Sequence, residues 1–368
     1  MRIERSGTFS NYGPTNQALE QAFIQMLFGS TGHCVTMCNA TIGLILSIRH
    51  VIDARSRRNK TWRKARKYAL MPAFTFAAAA HAALWNGLVP LFCDIAPDTW
   101  LPSAASEREL LERFKDEVAV IVPHAAFGNN LDLAAYTALS EQYGVPIVVD
   151  AAASLGALDC NGRQFGAGFP YPLVYSMHVT KTFSTGEAGL VYCNDSEAIS
   201  SLRSMANFGF GQPRAATMLG LNGKLTEVGA LLCHEKLKDL EAIVQHRSRL
   251  ADIYRRELPE FTFQKMNGAR HAYQFVPVLV PDNQPLTVDN IIAELANLGV
   301  MARSYFTPHL AEQPFFEENS VCLGIPTTQS IAQRMISLPM YDDMTSHDVE
   351  TICQRLRSVM ANRPPRNA

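Results

Sequence analysis

Short apolar runs recur along the first two hundred residues at intervals that leave room for a helix between most of them. They are Cys34–Cys38, Tyr68–Met71, Val89–Asp94, Val118–Val122, Ile147–Asp150, Leu173–Met177 and Gly189–Tyr192. Helical patterns fill the stretches near residues 40–54, 75–87, 106–116 and 131–143. Buried strands alternating with helices predict an α/β fold, a mostly parallel sheet covered on both faces. In such sheets the chemistry gathers at the carboxyl ends of the strands. From about Leu225 the pattern changes to one long charged helical segment reaching Leu258, then to mixed strands and helices ending in an amphipathic helix near Asp348–Met360. The expected division is an N-terminal segment (1–25) packed against that long helix, a large domain (26–235) and a smaller C-terminal domain (236–368).

The termini of those runs carry the residues of interest. The run Ile147-Val-Val-Asp150 ends a wholly apolar strand on a carboxylate, which must be paired or hydrogen-bonded if it is to stay charged in a core. A protonated heterocyclic nitrogen would satisfy it, and so would the first N–H groups of a following helix. Further on, Lys181 lies in Ser176-Met-His-Val-Thr-Lys181-Thr-Phe-Ser-Thr-Gly186-Glu187, among small, hydroxyl and apolar residues. An amine there has a lowered pKa and a share of the free base that attacks an aldehyde, unless the loop is simply solvated. A strand-end Asp followed by such a Lys is the order used by pyridoxal-phosphate (PLP) enzymes of one large fold. Cys38-Asn39-Ala40-Thr41 runs a strand straight into a helix, whose first N–H groups could hold a phosphate, with the Thr41 and Ser176 hydroxyls as further donors. Phe76, just past the Tyr68 strand, could cover a ring or belong to the core.

Composition narrows the partners. With a net charge of −1, the chain lacks the excess of cations that binding a nucleic-acid duplex requires. The eight cysteines are scattered, without zinc spacing, so reduced thiols and no metal site are expected. Met1–Arg5 has no apolar signal core, and no apolar stretch approaches the roughly 18 residues of a membrane span, so a cytoplasmic location without membrane contact is expected. A basic cluster (Arg55, Arg57, Arg58, Lys60, Arg63, Lys64, Arg66, Lys67) reads either as a solvated surface or as a field that draws in an anionic substrate.

Taken together, these segments resemble the DegT type of nucleotide-sugar aminotransferases. The likeness runs from Phe9-Ser-Asn-Tyr-Gly13-Pro14 through Asn39-Ala-Thr41, Pro72-Ala-Phe-Thr-Phe76, Asn86–Ile95 and Pro123-His-Ala-Ala-Phe-Gly128. Beyond the Asp150 and Lys181 segments it includes Gly220-Leu-Asn222-Gly-Lys224-Leu-Thr-Glu227 and Leu338-Pro339. The resemblance implies the PLP-dependent transferase fold of type I, with a seven-stranded, mostly parallel sheet between helices and a smaller α+β domain. It also implies roles. Lys181 would bond the cofactor's aldehyde and carry the proton, and Asp150 would keep the pyridine nitrogen protonated. Ala40, Thr41 and Ser176 would hold the phosphate, and Phe76 would stack on the ring. Asn222 would reach the cofactor phosphate of a neighbouring subunit, so a homodimer with shared sites is expected. Arg303 and His309 would lie toward substrate, whereas His178 reads as a structural histidine. The implied reaction transfers an amino group from glutamate to a nucleotide-linked keto-6-deoxysugar, with dTDP-4-keto-6-deoxyglucose the preferred acceptor. Relatives that dehydrate deoxysugars carry His in place of Lys181, and Cys322 lacks the surroundings of a desulfurase cysteine. Another PLP reaction, or a regulator without turnover, is the alternative. Where the family commonly has Gln or His three residues after the Asp, this chain has Ala153, which cannot donate a hydrogen bond.

Overall fold

The computed structural model describes residues 2–59, 61–62, 65–282 and 284–361. The chain opens with α1 (Arg2–Ser6) and α2 (Pro14–Met26), then alternates: β1 (His33–Met37), α3 (Ala40–Arg58), β2 (Tyr68–Pro72), α4 (Ala77–Trp85), β3 (Val89–Cys93), α5 (Ala104–Arg113), β4 (Val118–Ile121), α6 (Leu133–Tyr143), β5 (Val149–Asp150), β6 (Leu173–Ser176) and β7 (Gly189–Cys193). Each predicted apolar run contains a strand, because a run of four to six apolar residues bounded by turns is too short for a helix.

The strands line up as β1-β7-β6-β5 and, through the parallel bridges Ile121↔Ile147 and His124↔Asp150, continue into β4-β2-β3. Only β7 runs antiparallel to its neighbours. Alternate side chains along these strands enter different cores. Leu70, Leu91, Ile121, Tyr175 and Tyr192 face a layer built from α2, α5 and α6, while Met71, Phe92, Val120, Val174 and Val191 face α3 and α4. The period of two along each strand therefore makes a three-layer sandwich.

α7 (Ser196–Met205) completes the second layer. The long helix expected over Leu225–Leu258 is two helices, α8 (Glu227–Leu237) and α9 (Leu240–Glu257), with the chain turning at Lys238–Asp239. The break lets the two halves serve different cores. Leu237 packs beneath the sheet, whereas Leu250 and Tyr254 join a further core. That core is completed by β8 (Thr262–Phe263), β9 (Val276–Leu279), α10 (Val288–Asn297), β11 (Met335–Leu338) and α13 (Ser346–Ala361). Between them α11 (Pro314–Asn319), β10 (Val321–Cys322) and α12 (Pro326–Ala332) return to the large sheet. There β10 pairs in parallel with β3, one strand more than the sequence pattern suggested. Asp94, at the end of β3, holds this return by accepting the Thr327 and Thr328 N–H groups (3.0 and 2.8 Å).

Helix α2 is tied to α8 by a buried carboxylate: Glu227 accepts the Thr15 N–H (2.7 Å) and the Asn16 N–H (3.1 Å). A negative charge at the first turn of α2 complements its unpaired donors. Within the basic cluster, Lys60, Arg63 and Lys64 lie outside the described residues. Arg57 and Arg58 are exposed, but Arg66 is buried, donating to the Lys115 and Val118 carbonyls and lying over the Trp62 ring. Arg66 thus belongs to the packing between the starts of β2 and β4 and not to a solvated field. Among the described residues no helix is long and apolar enough to cross a membrane.

Candidate active site

The carboxyl ends of β1, β2, β4, β5 and β6 all open on the same side of the sheet, because these strands are parallel to one another. A cavity of about 380 Å³ lies there, lined by Asn39, Ala40 and Thr41 after β1, Phe76 after β2, His124 after β4, Asp150, Ala152 and Ala153 at the end of β5, Ser176 at the end of β6, and His178, Thr180 and Lys181 after it. Glu187, Gln274, Phe275, Tyr305 and Phe306 also line it, with Leu44, Ala78 and Phe127. A second hollow, of about 460 Å³ beside Asp282, Thr287 and Arg334, shares no lining residue with this cavity.

Asp150 is buried. Its Oδ1 accepts the Ala152 N–H (3.1 Å), and its Oδ2 lies 3.3 Å from His124 Nδ1, off the line that a hydrogen bond needs. Burial alone would raise the carboxyl pKa, but the His124 imidazole, the Ala152 N–H and the Lys181 ammonium outweigh it, so the pKa is lowered. A charged carboxylate with one backbone donor and a misaligned imidazole still has capacity to accept from a protonated ring nitrogen. Lys181 is half-buried in the turn leaving β6, and its Nζ donates to Gln274 Oε1 (3.0 Å). Burial pulls the amine pKa down to about 8, against the opposing charge of Asp150. A share of free amine is therefore available near neutral pH.

At the start of α3, Asn39 caps the helix by accepting the Ile42 N–H (2.9 Å). The N–H groups of Ala40 and Thr41, at the first two helical positions, have no intrahelical acceptor and sit at the positive end of the helix. The helix end can approach β7 closely only because Gly189 has no side chain. A Cβ there would stand 2.6 Å from the Asn39 carbonyl carbon and 2.7 Å from the Ala40 nitrogen. Ser176 adds a hydroxyl in the same cavity, already accepting the His178 N–H (3.2 Å). A helix N-terminus with hydroxyls, a buried carboxylate and a low-pKa amine in one cavity form the donor set that a phosphorylated pyridine aldehyde needs, so these residues fit PLP.

Of the residues singled out from sequence, Ala40, Thr41, Phe76, Asp150, Ser176 and Lys181 share this cavity. Phe76 is 63% exposed, so its ring is not consumed by the core. Ala153 also lines the wall and presents only a methyl group. Asn222 is exposed, accepts from Lys224 Nζ (2.7 Å) and does not line the cavity. Arg303 and His309 are not brought to it either. Arg303 is exposed and exchanges backbone hydrogen bonds with Ser337, while His309 is buried beside Glu312 (3.2 Å). His178, read as structural, faces the cavity with Nδ1 2.9 Å from Thr180 Oγ1. Sequence reasoning left His124 and Gln274 without roles. His124 stood in a quoted segment, Pro123–Gly128, where its place after an apolar strand was a usable signal. Gln274 lies far along the chain in no motif, and nothing local marks it.

Comparison with known proteins places the whole chain. Residues 1–357 match the model of the DegT/DnrJ/EryC1/StrS aminotransferase family. A Mycobacterium tuberculosis H37Rv protein, Rv3402c, is 30% identical over 359 residues, 96% of this chain and 84% of the relative. The dTDP-4-amino-4,6-dideoxy-D-glucose transaminase of Shigella dysenteriae is 28% identical over 366 residues, 97% of this chain and 93% of that enzyme. Among solved structures, a Bacillus cereus chain assigned to the PLP-dependent aminotransferases superimposes with a TM-score of 0.88 at 35% identity, covering 97% of this chain and 94% of the other. DesI, solved in the presence of its TDP-sugar product, gives a TM-score of 0.86 at 26% identity, covering 98% and 88%.

Proposed function

This chain belongs to the DegT/DnrJ/EryC1/StrS aminotransferase family of PLP-dependent enzymes, and from that premise we propose that it moves an amino group from glutamate to the keto carbon of a nucleotide-linked keto-6-deoxysugar. The preferred acceptor is dTDP-4-keto-6-deoxyglucose, a choice supported by the product named for the Shigella relative and by the TDP-sugar in the DesI structure. The donor leaves as its 2-oxo acid and the acceptor as an amino sugar. The observation that carries the reading is the meeting of Asp150 and Lys181 in one cavity with an α-helix N-terminus, Lys181 having its pKa lowered to about 8.

PLP, when bound, supplies an aldehyde that an amine can bond and a pyridinium ring that accepts electrons from the carbon losing its proton. The chain's part is to hold and to move protons. Asp150, kept ionised by its neighbours, retains the proton on the ring nitrogen and so keeps the ring electron-poor. Lys181 Nζ would be the amine that holds the aldehyde and, as free base, the group that would carry a proton between the donor carbon and the acceptor. Ala40 and Thr41, with Ser176, hold the phosphate. Phe76 covers a ring face, and Asn222 of a second copy completes the phosphate site, making the working unit a homodimer with shared sites. On this reading residues 1–25 form the N-terminal segment, 26–235 the PLP-binding domain and 236–368 the small domain. Arg303 and His309 do not line the cavity of one chain.

The test is the visible spectrum of the protein with PLP, before and after adding glutamate, for wild type and Lys181→Ala. A long-wavelength band that fades with glutamate in the wild type and does not respond in the variant supports amino transfer. Mass spectrometry of the keto-sugar after incubation then reads the acceptor. A wild-type protein that shows no band after incubation with PLP would refute the reading.

A further inference from the structure

Lys181 is held by a residue that no motif announces. Its Nζ donates to Gln274 Oε1 at 3.0 Å, and Gln274 Nε2 donates onward to Thr180 Oγ1 at 3.3 Å. An ammonium has no lone pair, so only the amide oxygen can face Lys181, and the amide NH₂ must then point to Thr180. Thr180 Oγ1 lies 2.9 Å from His178 Nδ1, a nitrogen that also takes the Thr180 backbone N–H (3.3 Å) and is therefore an acceptor. The Thr180 hydroxyl accordingly donates to His178 and keeps a lone pair for Gln274. His178 Nε2 carries the ring hydrogen, 3.6 Å from Glu187 Oε1. Every donor in the chain Lys181, Gln274, Thr180, His178 points the same way, an arrangement in which each bond polarises the next.

We propose that Gln274 is a positioning residue for Lys181, fixing where the amine stands when it is free of the cofactor and strengthening its hold on a proton. The inference rests on Lys181 being the lysine of the proposed amino transfer. Three features of the structure support a dedicated clamp. Gln274 is buried, so its amide is oriented by these partners and not by bulk water. Its neighbours Tyr273 and Val276 belong to the C-terminal core, while Thr182, next to the lysine, donates to the Ala272 carbonyl. The segment carrying Gln274 is thereby pinned to the lysine turn at one end and to a separate core at the other. Finally, the charged group facing the amine is Asp150, with His124 behind it. Gln274 is thus the neutral acceptor that sets the amine's direction without adding a second carboxylate. When Lys181 is released during amino transfer, the amide gives it a fixed resting place from which to carry the proton.

The test reads the amine itself. In full-length protein freed of cofactor, the pH dependence of Lys181 acylation by acetic anhydride, followed by peptide mass spectrometry, gives the titration midpoint. Losing an acceptor that favours the ammonium should lower that midpoint by about one pH unit in Gln274→Leu, a hydrogen bond to a charged group being of that size. Gln274→Glu, which adds a carboxylate, should raise it. Structural damage alone does not move the midpoint in opposite directions in two variants at one site. Should the leucine variant fail to fold, Thr180→Val, which frees the amide, is expected to lower the midpoint less. Midpoints that stay at the wild-type value, or that move together in both Gln274 variants, overturn the proposal. Because acylation needs no cofactor, the outcomes separate. A protein that binds PLP and responds to glutamate, with a midpoint indifferent to Gln274, keeps the function and loses the clamp. A responsive midpoint in a protein that never binds PLP does the reverse.

Discussion

Replacing Gly189 by alanine tests whether the phosphate cradle depends on the contact between β7 and the start of α3. The added Cβ would meet the Asn39 carbonyl carbon at 2.6 Å, the Ala40 nitrogen at 2.7 Å and the Asn39 oxygen at 2.7 Å, all backbone atoms. Ordinary contact begins about 0.8 Å further out, and no flexible side chain can yield the space. Gly189 cannot retreat easily, since it is paired with Met37 of β1 and Ser176 of β6. The helix end must therefore shift, and overpacking of this kind costs about 1–3 kcal/mol. On the proposed reading the shift falls on the donors that would hold the phosphate, so PLP affinity should drop about tenfold or more, the equivalent of about 1.4 kcal/mol. Fluorescence titration of wild type and Gly189→Ala with PLP measures the affinity, and urea denaturation without PLP measures the stability. Lower stability with unchanged PLP affinity would refute the placing of the phosphate at Ala40 and Thr41.

Two further outcomes are expected. Glu107 is buried with both carboxyl oxygens 3.0 Å from the one Tyr136 hydroxyl, and burial raises its pKa to about 8 from 4.5. The folded state thus holds a proton that the unfolded chain releases between those values, so the stability this group contributes is complete below about pH 4.5 and is lost as pH rises toward 8, by up to about 1.4 kcal/mol per unit. Urea midpoints measured across that range should flatten in Glu107→Gln, and an unchanged slope would show that Glu107 titrates normally. Arg66→Ala should lower stability by about 1–3 kcal/mol, because it removes a buried guanidinium that two carbonyls accept from, and should leave the Michaelis constant for the sugar unaltered at low salt. A raised constant with intact stability would restore the idea of a steering field.

The order of elements was legible because hydrophobic patterning is local. Strands bounded by turns announce themselves in runs such as Val118–Val122, and a parallel arrangement follows from the helices between them. Asp150 and Lys181 were legible for a related reason: each breaks the local rule for its position, a charge at the end of an apolar strand and an amine among small residues. The turn at Lys238–Asp239 was not, since α8 and α9 share one helical pattern and only the existence of two cores separates them. Nor was β10, two residues whose strand character comes from the edge of β3 and not from their own composition.

By itself, the sequence determined the alternating fold and marked the strand-end Asp150, the Lys181 turn and the start of α3, all features written in neighbouring residues. Tertiary structure decided what meets across long separations. It buried Arg66 between the starts of β2 and β4, left Arg303 and His309 out of the cavity lining, and set His124 against Asp150 and Gln274 against Lys181. Gln274 and Lys181 are separated by 93 positions. A hydrogen bond across that distance depends on how two cores dock, and no pattern within either segment encodes it.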